Sequence, residues 1–357
     1  MNKVSFPLIG DYDVPANFLL SHVFENSVIV PPPITSKTIA LGVKNSPDFV
    51  CTPFKYTLGT MIEAAENKAQ ILIQLGGGCR YGYYAELQEK ILRDLGYDVK
   101  VINLVTKGKP ELKRIFNSFK KINPKFKRRK LLYYGFIAVK MLKYMDKVDD
   151  YIRENKAFEV IKGSFDTLRK EMLNKFKKIN GLISLYKTYK NYLKKIKQVP
   201  IHKPDKYLKI GLIGELYTLM EPFANNYLEK DLIANKISIK RFTTATYLLV
   251  RKKGIMKKAF KKNKNIKYTL GADGADNVMN TKWLCEHGYD GIIHVKSAFC
   301  TPEIGAMPIM SKIANEYDVP ILFLTFDANT SEIGIKTRLE AFYDMLEMRK
   351  DKWKTVI

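Results

Sequence analysis

Four cysteines, at positions 51, 79, 285 and 300, are the side chains of this 357-residue chain whose type and placement point to chemistry. No two of them form a Cys-x-x-Cys pair, which disfavours a zinc ribbon or a thioredoxin-type redox site. Cysteines this few and this scattered are not a disulfide framework in a reducing compartment. Buried structural thiols, reactive thiols and metal ligands remain.

Local context separates the four. Cys51 follows the short apolar run at 48–50 and opens the stretch CTPFKYTLG. Cys79 follows QILIQL and a run of three glycines, just before a helical pattern. Cys300 follows GIIHV and KSAF, before a helical pattern with Pro302 and Glu303 in its first turn. This reading puts all three just past the carboxyl ends of parallel strands, the edge where open α/β sheets bind ligands. Cys51 and Cys79 are about one strand–helix–strand unit apart, which suits neighbouring loops of one sheet. Cys300 would reach the same cleft from a second α/β domain. Cys285, in TKWLCEHGYD, closes a helix instead. The following strand would hold it roughly 20 Å from Cys300, at ~3.3 Å per residue, and it is read as structural.

Three convergent thiolates select zinc, Cu(I) or an iron–sulfur cluster. Structural zinc takes four protein ligands, often in close pairs. A cubane tolerates wide sequence separation and usually takes four thiolates. With three, one iron stays open to water, hydroxide or substrate, as in open catalytic metal sites. A [4Fe-4S] cluster held by Cys51, Cys79 and Cys300 is therefore expected. Thiolates at helix N-termini have a lowered pKa, which favours ligation. Gly77 and Gly78 offer backbone N–H groups without side-chain bulk. With Arg80 and Glu303 they are candidates to contact the cofactor around the ligands. Three unrelated buried cysteines are the competing reading. One local setting repeated three times favours the cluster.

Other patterns carry less. GGGCRYG is not GxGxxG, and no P-loop occurs. Gly214 and Glu215 could open a helix or bind a ligand, and read as a structural turn into a helix. Gly271, Asp273, Gly274 and Asp276 lack EF-hand spacing and also read as a turn. His22, His202, His287 and His294 are scattered and read as structural. Thr330 and Ser331 suit a helix cap, while Asp327 and Glu332 are candidates to line the cleft.

The elements that must position these residues fall in three parts. Residues 1–106 alternate short apolar runs, at 3–9, 27–30, 48–50, 70–75 and 100–104, with helical patterns. The clearest helix is 84–95, with Leu87, Ile91 and Leu95 on one face. Such alternation predicts a parallel sheet. Residues 107–206 form a lysine-rich helical insertion, with Ile137, Met141, Tyr144, Val148 and Tyr151 at helical spacing. Phe165, Leu168, Met172, Phe176, Ile179, Leu182, Tyr186, Tyr189, Leu193 and Ile196 continue the pattern. Residues 207–357 return to alternation, with strands at 207–213, 237–241, 291–295 and 319–325 and helices at 301–317 and 330–348. The fold class is α/β: two parallel-sheet domains with a helical insertion between them.

The formal net charge is +25. Its excess lies largely on the amphipathic helices of the middle part, where lysines occupy a solvated face. Nucleic-acid binding is accordingly disfavoured, though a metal-free, basic nucleic-acid-binding protein remains an alternative. The first residues lack a signal-peptide pattern, and no apolar run reaches the ~20 residues of a membrane span. A cytoplasmic protein without a membrane partner is expected.

The blocks VCTPFKYTLG, LGGGCRYGYYAELQEKILRDLGY, VKSAFCTPEIGAMPI and LFLTFDANTSEIGIKTRLEAFYDML resemble the 2-hydroxyacyl-CoA dehydratase D-component and benzoyl-CoA reductase superfamily. More narrowly, they are similar to its short members called CoA protein activases, or acyl-CoA dehydratase activase-related proteins. The resemblance implies two Rossmann-like domains and a cluster in the cleft between them, with its three ligands matching Cys51, Cys79 and Cys300. It also implies electrons delivered by a separate ATP-hydrolysing activator of actin-like fold, and an acyl-CoA as the substrate reduced or dehydrated. A second dehydratase-like subunit or a homodimer is a further implied partner, and a double-cubane cluster a further implied cofactor. No substrate base can be matched residue by residue. A non-catalytic electron carrier or scaffold for the activator is the alternative within the family.

Overall fold

The computed structural model describes residues 2–25, 27–106, 109–110, 112–251 and 270–352. The basic stretch at 254–269, hard to assign from sequence, lies outside the described residues. The chain divides into two compact units, Met1–Leu142 with Lys175–Tyr186, and Lys143–Asn174 with Lys187–Ile357. Both contain a parallel sheet, as the alternating pattern predicts.

In the first unit, β1 (Val4–Ser5), β2 (Ile71–Gln74) and β3 (Lys100–Asn103) form a three-stranded sheet in that order. Ile71 pairs with Lys100 and Gln74 with Asn103. Side chains alternate across β2. Ile71 and Ile73 enter a core with Val4, Phe24 and Phe119. Leu72 enters another core, built on α3 (Thr52–Glu66) and α4 (Tyr84–Asp94). The runs at 27–30 and 48–50 do not form strands. The first keeps one bridge, Val4 to Val28. The second is a turn, because α2 (Ser36–Lys44) ends only a few residues before α3 begins.

The α4 helix forms where expected, but on a different face. Tyr84, Ala85, Gln88 and Leu92 are buried, whereas Leu87 and Leu95 are largely exposed. Gln88 has the hydrogen bonds that its burial requires, to Thr57 Oγ1 (2.8 Å) and the Phe54 carbonyl (3.3 Å). A polar residue thus takes the place that apolar periodicity gave to leucine. At Gly59, α2 and α3 approach so closely that a Cβ would lie 1.9 Å from the Thr38 carbonyl oxygen.

A short pair, β4 (Val105–Thr106) and β5 (Lys109–Pro110), leads into α5 (Leu112–Ile122) and the 28-residue α6 (Arg128–Asn155). Next come α7 (Ser164–Phe176) and α8 (Leu182–Lys197). Ile137, Met141, Val148, Phe165, Met172, Phe176, Tyr189 and Ile196 are buried as their spacing predicts. Leu182 and Tyr186 are exposed, and Leu185 is buried instead.

In the second unit, β6 (Lys209–Gly214), α9 (Leu216–Met220), α10 (Leu228–Ala234) and β7 (Ser238–Arg241) come first. They are followed by α11 (Gly274–Glu286), β8 (Gly291–Ser297), α12 (Thr301–Glu316), β9 (Ile321–Phe326) and α13 (Glu332–Lys352). The four strands run parallel in the order β7-β6-β8-β9. Apolar side chains cover both faces of the central strands, with Leu212, Ile293 and Val295 in one cluster and Ile213 and Ile292 in the other. A buried ion network braces this unit. Arg153 Nε and Arg241 Nη1 both donate to Glu229, and Arg169 grips Asp149 through two hydrogen bonds. Burial pushes the Glu229 and Asp149 carboxyls up, but the guanidiniums more than offset it and hold both below their ordinary range.

Among the described residues, no helix is long and apolar enough to cross a membrane.

Candidate cofactor site

Cys51, Cys79 and Cys300 occupy one kind of position. Cys51 is the N-cap of α3, Cys79 that of the 3₁₀ turn Arg80–Tyr83 leading into α4, and Cys300 that of α12. None of the three makes a side-chain capping hydrogen bond. A sulfur at such a position faces the positive end of the helix dipole. Two of the helices start identically, with Cys-Thr-Pro at N-cap, N1 and N2. Proline is tolerated there because its missing N–H has no helical partner to lose. This repeat, one copy per unit, was available in the sequence but escaped the reading of strands and spacing.

Cys79 and Cys300 follow parallel strands, β2 and β8, as expected. Cys51 does not, since a turn precedes it. Helix packing sets its place instead. The Tyr84 hydroxyl lies 2.8 Å from the Cys51 Sγ, and the Tyr84 ring meets Phe54 edge-on at 4.8 Å. Burial, followed by the sulfur's proximity and hydrogen bond, raises the Tyr84 pKa well above its ordinary value. With Cys51 as a thiol either atom can donate; with Cys51 as a thiolate the phenol is the donor and the sulfur the acceptor. Gln88 ties the start of α3 to the same helix.

The loop bearing Cys79 rests on the end of β3. Asn103 donates to the Gly82 carbonyl at 2.7 Å and accepts from the Val105 N–H at 3.1 Å. A Cβ on Gly76 would lie 1.9 Å from the Val105 carbonyl oxygen, so the backbone comes this near only as glycine. Arg80 opens the 3₁₀ turn, and its positive charge favours Tyr84 ionisation, against the larger effect of burial. Gly77 packs against Tyr81, leaving Gly78 beside the cysteine.

Around Cys300, the second unit gives Glu303, a residue singled out in the sequence, partners that the sequence did not reveal. Glu303, in the first turn of α12, is fully buried. Its carboxylate accepts from Asn277 Nδ2, at 3.0 and 2.9 Å, and from His294 Nε2 at 2.7 Å. The Asn277 Oδ1 in turn accepts from the Gly214 N–H at 3.3 Å. One knot thereby ties α12 to β8, α11 and β6. Lys296 is buried on β8; burial lowers its pKa, against the opposing pull of Cys300 and Glu303. Glu215 caps α9, accepting from the Tyr217 and Thr218 N–H groups and the Thr218 hydroxyl. Burial, helped by Asp273, raises its carboxyl to about 7 despite these bonds. Asp273 is the N-cap of α11, beside Gly271 and Gly274, which pack on Pro302. The residues read as turns at 214–215 and 271–276 are thus parts of the same sheet edge as Cys300.

Cys285 lies in the last turn of α11, at the opposite end of the helix from Asp273. Burial pushes its thiol up to about 11. Asp327 accepts from Asn329 N–H and Thr330 Oγ1 in a local turn before α13. Glu332 is exposed.

Among the described residues, no three His, Cys, Asp or Glu side chains gather into a metal-holding group. The donor chemistry suits an iron–sulfur group, with sulfur at helix starts and glycine backbone beside Cys79. Buried polar atoms at the same strand ends also suit one. Gln74 closes β2, and neither its Nε2 nor its Oε1 has a hydrogen-bond partner. Ser297 closes β8, and its Oγ has none. Such atoms call for a bound group or water.

Residues 275–346, about a fifth of the chain, match the family model described as 2-hydroxyglutaryl-CoA dehydratase, D-component. The resemblance to that superfamily therefore stands, and the matched segment carries α11, Cys300 and Glu303. No curated protein matches the chain.

Proposed function

We propose, from the premise of that superfamily, that the protein is an iron–sulfur component of the 2-hydroxyacyl-CoA dehydratase type. Cys51, Cys79 and Cys300 are its ligands. The observation that carries this reading is the single setting the three share, each a helix N-cap without a capping bond. When bound, the cluster supplies one-electron reduction and, with only three thiolates, an open iron for a substrate such as an acyl-CoA. The electrons come from an ATP-dependent activator of actin-like fold, the partner implied by the superfamily.

The chain's own residues do the remaining work. The helix starts at Thr52 and Thr301 stabilise negative charge on their capping sulfurs. Glu303, Asn277 and His294 fix the first turn of α12 and with it the Cys300 backbone. Glu215, ionising near neutral pH, can take or return a proton at the carboxyl edge of the second sheet. Lys296 adds a positive charge near Cys300.

The test is anaerobic reconstitution followed by iron and sulfide analysis. Cys51→Ala, Cys79→Ala and Cys300→Ala should each lower bound iron, and Cys285→Ala should leave it unchanged. Full iron content in all three single variants would overturn the assignment.

A further inference from the structure

We infer that Tyr84 is a positioning residue for the cofactor. Its hydroxyl donates to the Cys51 sulfur and so sets how readily the bound group accepts an electron. The inference rests on the cluster reading above and goes beyond it, because no ligand assignment requires a donor at Cys51.

The geometry is specific. Tyr84 is the first residue of α4, and Cys51 precedes the first residue of α3. They are far apart in sequence, yet oxygen and sulfur lie at hydrogen-bond distance, 2.8 Å. The phenol is held on several sides. Phe54 meets its ring edge-on, the Tyr81 ring lies 5.3 Å away, and the side chain is largely buried. Gln88, one turn further along α4, is bonded to the Phe54 carbonyl and Thr57 in the first turns of α3. The hydroxyl therefore cannot swing away without breaking a packed helix–helix contact.

A tyrosine in this core needs a partner for its hydroxyl. A sulfur is the partner it has. An O–H donor pointed at a ligand sulfur withdraws electron density from it. It stabilises the reduced, more negative state of a bound cluster more than the oxidised state. Reduction adds one electron, supplied by the low-potential donor, and no bond at Cys51 breaks. Removing the donor makes that electron harder to add, and strengthening it makes the electron easier to add.

The experiment is an anaerobic redox titration, followed by EPR, on the reconstituted full-length protein with a low-potential chemical reductant. Tyr84→Phe should keep the iron content and shift the midpoint to lower potential. A fluorinated tyrosine placed at position 84 by amber suppression, a more acidic phenol, should shift it to higher potential. Opposite shifts from these two near-isosteric changes are not expected of a purely structural residue. Should Tyr84→Phe lose its iron, the fluorinated variant alone decides. An unmoved midpoint in an iron-loaded variant overturns the inference while leaving the cluster reading intact. Wild-type protein that takes up no iron overturns both, and Cys51→Ala that keeps all of it overturns the inference together with the place of Cys51 among the ligands.

Discussion

Removing the Glu303 carboxylate tests the second unit's architecture most directly. The side chain is fully buried and accepts hydrogen bonds from Asn277 and His294. In Glu303→Ala both donors lose their acceptor, in a region that water cannot reach without rearrangement. A buried polar group left unsatisfied costs ~1–3 kcal/mol, so two of them plus the lost packing should cost about 3–5 kcal/mol. Asn277→Ala removes one donor and also frees the Gly214 N–H. The two losses share a contact, so the double variant should cost less than the sum by about 1–2 kcal/mol. Glu303→Gln keeps an acceptor for Asn277 and should cost about 1 kcal/mol. Its single amide oxygen must then serve Asn277 and His294 together, in place of two carboxylate oxygens. The assay is urea-dependent hydrogen exchange of β8 and α12 in metal-free protein, which reads this unit without assuming a single global transition. A Glu303→Ala cost below about 0.5 kcal/mol, or strict additivity with Asn277→Ala, would show that the network does not hold α12 in place.

Two further outcomes are expected. Glu215 has a carboxyl raised to about 7, above its ordinary 4.5, so folding binds its proton more tightly. Its contribution to stability is complete below about pH 4.5 and is lost as pH rises through about 7. Glu215→Gln should therefore flatten the fall in stability between pH 5 and 8 by at most about 3 kcal/mol, measured by denaturation at a series of pH values. Unchanged pH dependence would remove Glu215 as a group titrating near neutrality. Cys285, its thiol pushed up to about 11, should react with iodoacetamide on the order of a hundredfold more slowly than an unperturbed cysteine at pH 7.5. Early alkylation of Cys285 in peptide mass spectra would contradict its inert role.

The sheets were legible because β2, β3, β6, β8 and β9 are dense apolar runs bounded by glycine or charge, and burial on both faces requires that pattern. The run at 48–50 has comparable composition but too little chain on either side to reach a neighbouring strand. Composition alone does not report that constraint. Helix α4 was legible in extent but not in orientation. Gln88 is buried by hydrogen bonds to α3, and hydrophobic periodicity assigns no such role to a glutamine. The cysteines stood out by type. Their shared role as N-caps did not, because serine, threonine, aspartate and asparagine are the favoured capping residues and cysteine is not. Glu215, Asp273, Asn277 and His294 were the hardest to find. Each is unremarkable in its own stretch: Asn277 and His294 meet only through Glu303, and Asp273 acts on Glu215 only once the sheet and its helices are assembled.

At each of these three helix starts the fold would itself prefer serine. A hydroxyl at the N-cap would accept an N–H from the first turn and stabilise the helix by ~0.5–1 kcal/mol over a residue that caps poorly. Cysteine at all three leaves that stabilisation unclaimed, in both units and in otherwise unrelated surroundings. The metal-free polypeptide is thus less rigid at these termini than it need be. Serine replacements there would firm the empty scaffold while removing the sulfur, so folding and cofactor retention can be moved in opposite directions by changing a single atom.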